Sequence, residues 1–449
     1  MAEDITLPGI ERAQIVERDN HCISRQQISR GALKVLYTLK DAGFHGFLVG
    51  GGVRDLLLGG QPKDFDIASD ATPEQLRSLF RNARIIGRRF KIVHIRFGRE
   101  IIEVTTFRAP PEKSTEIEDH QSRRKIRGLD SAHSTSGMLL RDNVYGNIDE
   151  DAWRRDFSVN ALYYTIDGFR VLDFCGGLAD LKDKSLRMIG NPVERYTEDP
   201  VRMLRAIRFA AKLDFKIEAT TEEPINKLAS LLESVSPARL FDETLKLLLG
   251  GKAESTFRLL TNYNIGKYLF APTIEAMHQH DEPATRLVWL ALRNTDSRIE
   301  QEKPVTPAFL FAALLWPVLQ KRLQRAKSNE SNIGPALVTH ANEVIQEQLQ
   351  FTSIPKRFTL AAREIWESQL RLERHTRRTI RSAFKHPRFR AAYDFMLLRR
   401  DSGEPLDELC QWWTDFQIGD TKRQEDMIAA LSGQKERSRR RRKRKPDNN

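Results

Sequence analysis

Strand-like runs are confined to the front of this sequence. Up to about Gly177, short apolar and β-branched stretches alternate with helical ones; beyond it strand signals become rare. Such a chain must build its sheet from roughly the first 178 residues and bury the rest helix on helix. The expected fold is therefore α+β: an N-terminal α/β head with a small mixed sheet, followed by an all-helical neck, body and C-terminal region. Composition shifts suggest a loosely held arm over 1–24, the head over 25–178, a helical neck over 179–250, a helical body over 251–432 and a basic tail over 433–449.

Within the head the signals are local. "ISRGALKVLYTLKDAG" (28–43) has helical periodicity and ends at Gly43. "GFLVGG" is a short apolar strand, "VRDLLLG" a helical turn or two closed by Gly59, and "DFDIAS" a second strand. Thr72 followed by Pro73 marks a helix start. Two β-rich runs around Gly98 predict a hairpin, and Asp167-Gly168 predicts another. Residues 110–137 hold almost no apolar side chains and read as a long surface loop.

The chemistry concentrates between residues 49 and 67, "VGGGVRDLLLGGQPKDFDI". Asp64 and Asp66 flank Phe65 on a strand-like run, so both carboxylates point to one face. Their repulsion is relieved by a cation. Mg²⁺ takes one or two carboxylates together with substrate phosphate oxygens. The glycines lie just upstream, where a permissive backbone can approach a triphosphate with its N–H groups turned inward. Arg54 adds a candidate phosphate donor. The arrangement is neither a P-loop nor a dinucleotide-binding fingerprint.

A third carboxylate has two candidates. Glu103 lies in "EIIEVTTF", a strand expected near the aspartate strand, and Asp156 lies in "RRDF" behind Arg154 and Arg155. Those arginines can neutralise phosphate charge or form a structural ion pair. Farther on, "EDPVRMLRAIRFAAKL" begins with Glu198-Asp199-Pro200, a cap followed by a first-turn proline. Arg202, Arg205 and Arg208 recur along one side of this helix. A carboxylate and a guanidinium three residues apart, Asp199 and Arg202, can read one base edge, with Arg205 and Arg208 available to phosphates. The plainer reading is a capped helix with a solvated basic face.

The net charge of +12 is largely a property of one end: "KERSRRRRKRK" (435–445) carries nine bases against one acid. That composition favours a polyanion such as RNA. Three scattered cysteines form no metal-type pair and no disulfide framework. The first twenty residues lack an apolar signal core, and no apolar run is long enough to span a membrane. A cytoplasmic location is expected. Trp412-Trp413 could stack on bases, although core packing is the simpler role.

Taken in order, "LVGGGVRDLLLG", "DFD", "IIEVTTFR", "RRDFSVNALYY" and "EDPVRMLRAIRFAAKL" resemble the motifs of the class II nucleotidyltransferase superfamily. That superfamily comprises bacterial poly(A) polymerases and CCA-adding tRNA nucleotidyltransferases. "GRRFKIVHI" (87–95), "HCISRQQISRGALKVLYTL", "HPRFRAAYDFMLLR" and the basic end are similar to the poly(A) polymerase branch. The resemblance implies a nucleotidyltransferase head and template-independent transfer of AMP from ATP to RNA 3′ ends, feeding RNA decay and its proteins. It also implies two Mg²⁺ ions on Asp64 and Asp66, with Asp156 as a third acidic residue and Glu103 still open. Gly51 and Arg54 would hold the triphosphate, Arg155 the nucleotide, and Asp199 and Arg202 the base, with Arg205 and Arg208 nearby. A CCA-adding enzyme is the alternative within the superfamily. A non-catalytic RNA-binding protein is the alternative outside it, and the intact Asp-x-Asp argues against it.

Overall fold

Helix and strand boundaries follow local chemistry closely where that chemistry is strong. The computed structural model describes residues 7–87, 91–109, 144–277, 283–327, 333–374 and 376–431, and the backbone of 115–117, 131–134 and 139–142. The chain divides into two compact units, Met1–Leu231 and Leu232–Asn449. The division falls inside the segment expected as a neck.

In the first unit, α1 (Arg30–Asp41) starts where the Ser29 side chain accepts the Ala32 N–H, and it buries Ala32, Val35, Leu36 and Leu39 on one face. β2 (Gly46–Val49), buried throughout, leads through Gly50 into α2 (Gly51–Leu57). Then come β3 (Asp66–Ser69) and α3 (Pro73–Leu79), the latter closed by a Thr72–Gln75 capping box. β5 (Ile92–Phe97) and β6 (Glu100–Thr106) form the hairpin around Gly98. β10 (Leu162–Thr165) and β11 (Val171–Asp173) form the second hairpin.

With β1 (Gln14–Val16) and β4 (Ala83–Ile86), these strands make one mixed eight-stranded sheet in the order β1-β11-β10-β2-β3-β6-β5-β4. β3 and β6 run parallel; the other neighbouring pairs are antiparallel. Phe47, Val49, Ala68, Tyr163 and Leu172 pack with Phe107, Ile148 and Ala152 into a core on one side of the central strands.

Three segments depart from expectation. The 1–24 arm is not loose throughout, because Gln14–Val16 pair with β11 and form the edge strand of the sheet. Within the polar stretch 110–137, residues 115–117 (β7) and 131–134 (β8) pair as strands, together with 139–142 (β9). Ladder hydrogen bonds are made by backbone and need no apolar alternation. The remainder of that stretch lies outside the described residues. Two short strands, β12 (Ser185–Leu186) and β13 (Lys216–Ile217), also pair in parallel beyond residue 178.

The second unit is helical among its described residues, from Pro237–Leu248 to Asp407–Ile418. One core gathers Trp316, Leu319, Trp366 and Phe395, and the Trp366 indole N–H donates to the Ala312 carbonyl at 3.0 Å. A second gathers Ile380, Phe389, Met396, Trp413 and Phe416. Trp413 is fully buried and donates to the Leu372 carbonyl at 3.2 Å; Trp412 stacks on Phe416 with ring centroids 4.9 Å apart. The tryptophan pair thus packs this core. No helix among the described residues is long and apolar enough to cross a membrane. The basic tail lies outside the described residues.

Candidate active site

The parallel pairing of β3 with β6 creates the site. Its register sets Asp66 opposite Glu103, and side chains opposite one another in a ladder share a face. The row continues sideways: Val49 on β2 lies opposite Asp66, and His94 on β5 lies opposite Glu103 and hydrogen-bonds its carboxylate at 3.1 Å. Two acids therefore stand side by side on adjacent strands. Asp64 precedes the strand, with Phe65 buried between the two aspartates.

Gly50 keeps the approach open. Its φ of 77° and ψ of −140° suit glycine, and a Cβ there would lie 3.9 Å from Asp66 Oδ2 and 4.0 Å from Arg155 Nη1. The chain can thus turn from β2 into α2 without walling off the carboxylate.

A cleft of about 290 Å³ opens at this point, lined by Asp66, Glu103, Arg108, Asp151, Arg154 and Arg155 among others. The charges are arranged in two groups. On one side, crowding by the protein pushes the Asp66 carboxyl up to about 6, although its side chain keeps a face to solvent. Burial is the main cause, repulsion from Glu103 and Asp64 adds to it, and Arg155 opposes it. On the other side, burial and then the positive neighbours Arg108, Arg155, Arg195 and Arg202 bring Arg154 down to about 9. The first group is eased by a cation and the second by an anion.

Arg155 is held in place by its own network. It donates to Asp151 at 2.8 Å and to the Tyr163 hydroxyl at 2.9 Å, and that hydroxyl donates to Asp151 at 2.7 Å. The backbone N–H of Arg108 donates to the other Asp151 oxygen at 3.2 Å. Asp151 thereby fixes two cleft arginines at once.

Other expected site residues are engaged outside the cleft lining. The Arg54 guanidinium is buried, donates to Asp55 at 2.6 and 2.8 Å and to Asn160 at 2.5 Å, and lies over the Phe209 ring. Gly51 packs against that guanidinium, with 3.3 Å from the position of a Cβ to Arg54 Nη2. Asp156 is bound by Arg205 at 2.6 Å, by Asn160 at 3.2 Å and by the Phe157 N–H at 2.9 Å. Burial would raise its pKa, but Arg205 and these hydrogen bonds overcome it and hold the carboxyl at about 2. Arg208 lies over Phe209. Asp199 sits at the junction of helices Pro192–Glu198 and Val201–Leu213, and Arg202 binds Glu198 at 2.7 Å.

Sequence reasoning passed over Arg108, Asp151, Tyr163 and Arg195. The Arg108 signal was present at the end of "IIEVTTFR", two residues past a strand whose middle bears Glu103. Asp151 and Tyr163 lie twelve residues apart, and nothing in their spacing predicts that they meet.

The donor set suits Mg²⁺. Two neighbouring carboxylates, one held above its ordinary pKa by burial and by the other's charge, supply hard oxygens on an open cleft. Among the described residues, no three or more His, Cys, Asp or Glu side chains are grouped so as to hold a metal ion between them. Water and substrate oxygens would complete the shell, as is usual for Mg²⁺.

The chain is similar to known proteins over most of its length. The Poly A polymerase head domain family matches residues 46–187, a family described as a probable RNA and SrmB-binding site of polymerase A matches 214–277, and the polymerase A arginine-rich C-terminus matches 319–446. The poly(A) polymerase I of Escherichia coli O6:H1 is 46% identical over 440 residues, covering 96% of this chain and 92% of that protein. The CCA-adding enzyme of Lactobacillus helveticus is 36% identical over 236 residues, covering 53% of this chain and 54% of its own. The crystal structure of the Bacillus stearothermophilus CCA-adding enzyme in complex with CTP superimposes with a TM-score of 0.53 at 25% identity, covering 85% of this chain and 80% of that one. The likeness to CCA-adding enzymes by sequence stops near half the chain, whereas the likeness to the poly(A) polymerases runs through nearly all of it, and this chain belongs to the bacterial poly(A) polymerase I family.

Proposed function

We propose that this nucleotidyltransferase extends RNA 3′ ends with AMP taken from ATP, without a template and with release of pyrophosphate, and that its product feeds RNA decay in the cytoplasm. The observation that carries the mechanism is the cleft itself, where Asp66 and Glu103 on parallel strands face Arg108, Arg154 and Arg155. Adjacent acidic and basic groups of this kind match a nucleoside triphosphate carrying magnesium.

Asp64 and Asp66 would hold two Mg²⁺ ions, with Glu103 beside Asp66 adding negative charge. When bound, they lower the pKa of an attacking hydroxyl and support departure of pyrophosphate. The protein's own groups do the rest. Arg154 and Arg155 bind phosphate oxygens from the cleft wall, and Arg155 does so in the orientation set by Asp151 and Tyr163. Gly50 leaves room for the triphosphate to lie against the turn. Asp199 and Arg202 read the adenine edge. Outside the cleft lining, Asp156 serves as a structural partner of Arg205, and Glu103, on the cleft wall, is the third acid. Arg54 and Gly51 shape the turn from beneath, with Arg54 braced against Asp55 and Asn160. The helical second unit and the basic tail guide single-stranded RNA.

The test uses a generic RNA primer and a tRNA lacking its 3′ end, each with ATP or CTP. Long adenylate tails on the generic primer are the expected result. Addition of two C and one A, restricted to the tRNA, would overturn the proposal in favour of a CCA-adding enzyme.

A further inference from the structure

The base-reading residues and the phosphate-binding residues lie on different elements, and one side chain joins them. Arg195 belongs to the helix Pro192–Glu198, and its side chain is 13% exposed. One guanidinium nitrogen donates to two main-chain carbonyls, those of Arg154 at 2.5 Å and Arg155 at 2.7 Å. The second terminal nitrogen donates to Glu198 at 2.7 Å. The same Glu198 oxygen accepts from Arg202 at 2.7 Å.

The main chain of Arg195 closes the loop. Its carbonyl accepts the Asp199 N–H at 3.2 Å and the Arg202 guanidinium at 2.7 Å. Both groups assigned to the base are therefore bonded to the residue whose side chain holds the backbone of both cleft arginines. Burial and then Arg202 lower the Arg195 pKa to about 10, which leaves it cationic at neutral pH and its hydrogen bonds charge-assisted.

We propose that Arg195 is a positioning residue that sets the distance between base recognition and phosphate binding, and so selects ATP over pyrimidine nucleotides. This rests on the reading of Asp199 and Arg202 as the base contacts. A purine extends farther from its ribose than a pyrimidine does. A rigid spacing between the Arg154–Arg155 backbone and the Asp199–Arg202 pair accepts one length and leaves the other with unpaired polar groups. Arginine suits this task because its planar fork serves two carbonyls and a carboxylate together, which a lysine ammonium on its flexible stem does less well.

The experiment uses the full chain, a short RNA primer, and steady-state kinetics with ATP and with CTP separately. The readout is the ratio of the two kcat/KM values. Arg195→Met should lower the ATP:CTP ratio by about tenfold, the scale of one charge-assisted hydrogen bond, chiefly through a higher KM for ATP. Arg195→Lys should recover part of the ratio and serves as the deciding variant should the methionine protein fail to fold. Asp199→Ala is measured alongside and should also lower the ratio. An unchanged ratio in the Arg195 variants, with a lowered one in Asp199→Ala, overturns the tether alone. Equal losses with both nucleotides mark a purely structural arginine and overturn it too. An unchanged ratio in Asp199→Ala overturns the base-reading assignment and the tether with it.

Discussion

Asp156 and Glu103 make opposite predictions, and substituting each by its amide separates them. The Asp156 carboxyl is held at about 2 against an ordinary 3.8, a difference worth about 2–3 kcal/mol at about 1.4 kcal/mol per unit. The sign is that of a lowered carboxylate: the stabilisation is complete above the ordinary value and disappears as pH falls through about 2. Asp156→Asn should therefore cost about 2–3 kcal/mol at neutral pH. Its side chain is only 10% exposed, while Arg205 is 32% exposed and can turn partly to water, which keeps the loss below that of a fully buried broken pair. Urea unfolding of Asp156→Asn, Arg205→Met and the double variant should give a coupling energy of about 2 kcal/mol. The loss from Asp156→Asn should stay constant between about pH 5 and 8. Folded Asp156→Asn should keep its kcat within about tenfold and an unshifted magnesium requirement, because its carboxylate contacts Arg205 rather than the cleft. Glu103→Gln should lose about a hundredfold or more and need more magnesium. An Asp156→Asn protein as stable as the parent, yet inactive and altered in its magnesium response, would refute the structural role and return Asp156 to the catalytic set.

Three further outcomes follow from the same geometry. The raised Asp66 pKa, about 6, means that its ionisation costs stability as pH rises from the ordinary carboxylate value through about 6; in chelator at pH above about 7, Asp66→Asn should stabilise the fold by about 1 kcal/mol after allowing for solvent at the carboxylate, lose nucleotide transfer, and show no gain near pH 4, whereas destabilisation in the chelator would contradict the crowding argument. Trp413→Ala should cost about 3–5 kcal/mol by emptying the core around Phe389 and Phe416, and weakened RNA binding by a fully stable variant would instead assign it to the RNA surface. Removing residues 435–449 should lower RNA affinity and flatten its dependence on salt; a filter-binding series with an unchanged slope would make the tail a bystander.

What could be read ahead of the structure was whatever depends on residues close in sequence. The Thr72 capping box and the turns at Gly98 and Asp167-Gly168 are settled within a few positions. The fold class was equally legible, since strand runs thin out after residue 178. The site was legible as a list of residue types and much less as a set of partners. Glu103 meets Asp66 only because β3 and β6 pair in parallel, and a parallel register joins strands without a tight turn to announce it. "RRDF" offered Asp156 as an acid beside two arginines, but the arginine that claims it, Arg205, arrives from 49 residues away. Arg54 showed the same ambiguity, since an arginine after glycines suits a phosphate and equally suits the aspartate next to it. In an arginine-rich chain, then, charge and spacing nominate candidates, and competition among nearby carboxylates decides which guanidinium remains for the substrate. Here Asp151 holds Arg155 without withdrawing it from the cleft, while Asp156 engages Arg205. That contrast makes the Asp151–Arg155–Tyr163 network, rather than the conspicuous arginine row of the Val201–Leu213 helix, the feature on which the proposed phosphate binding rests.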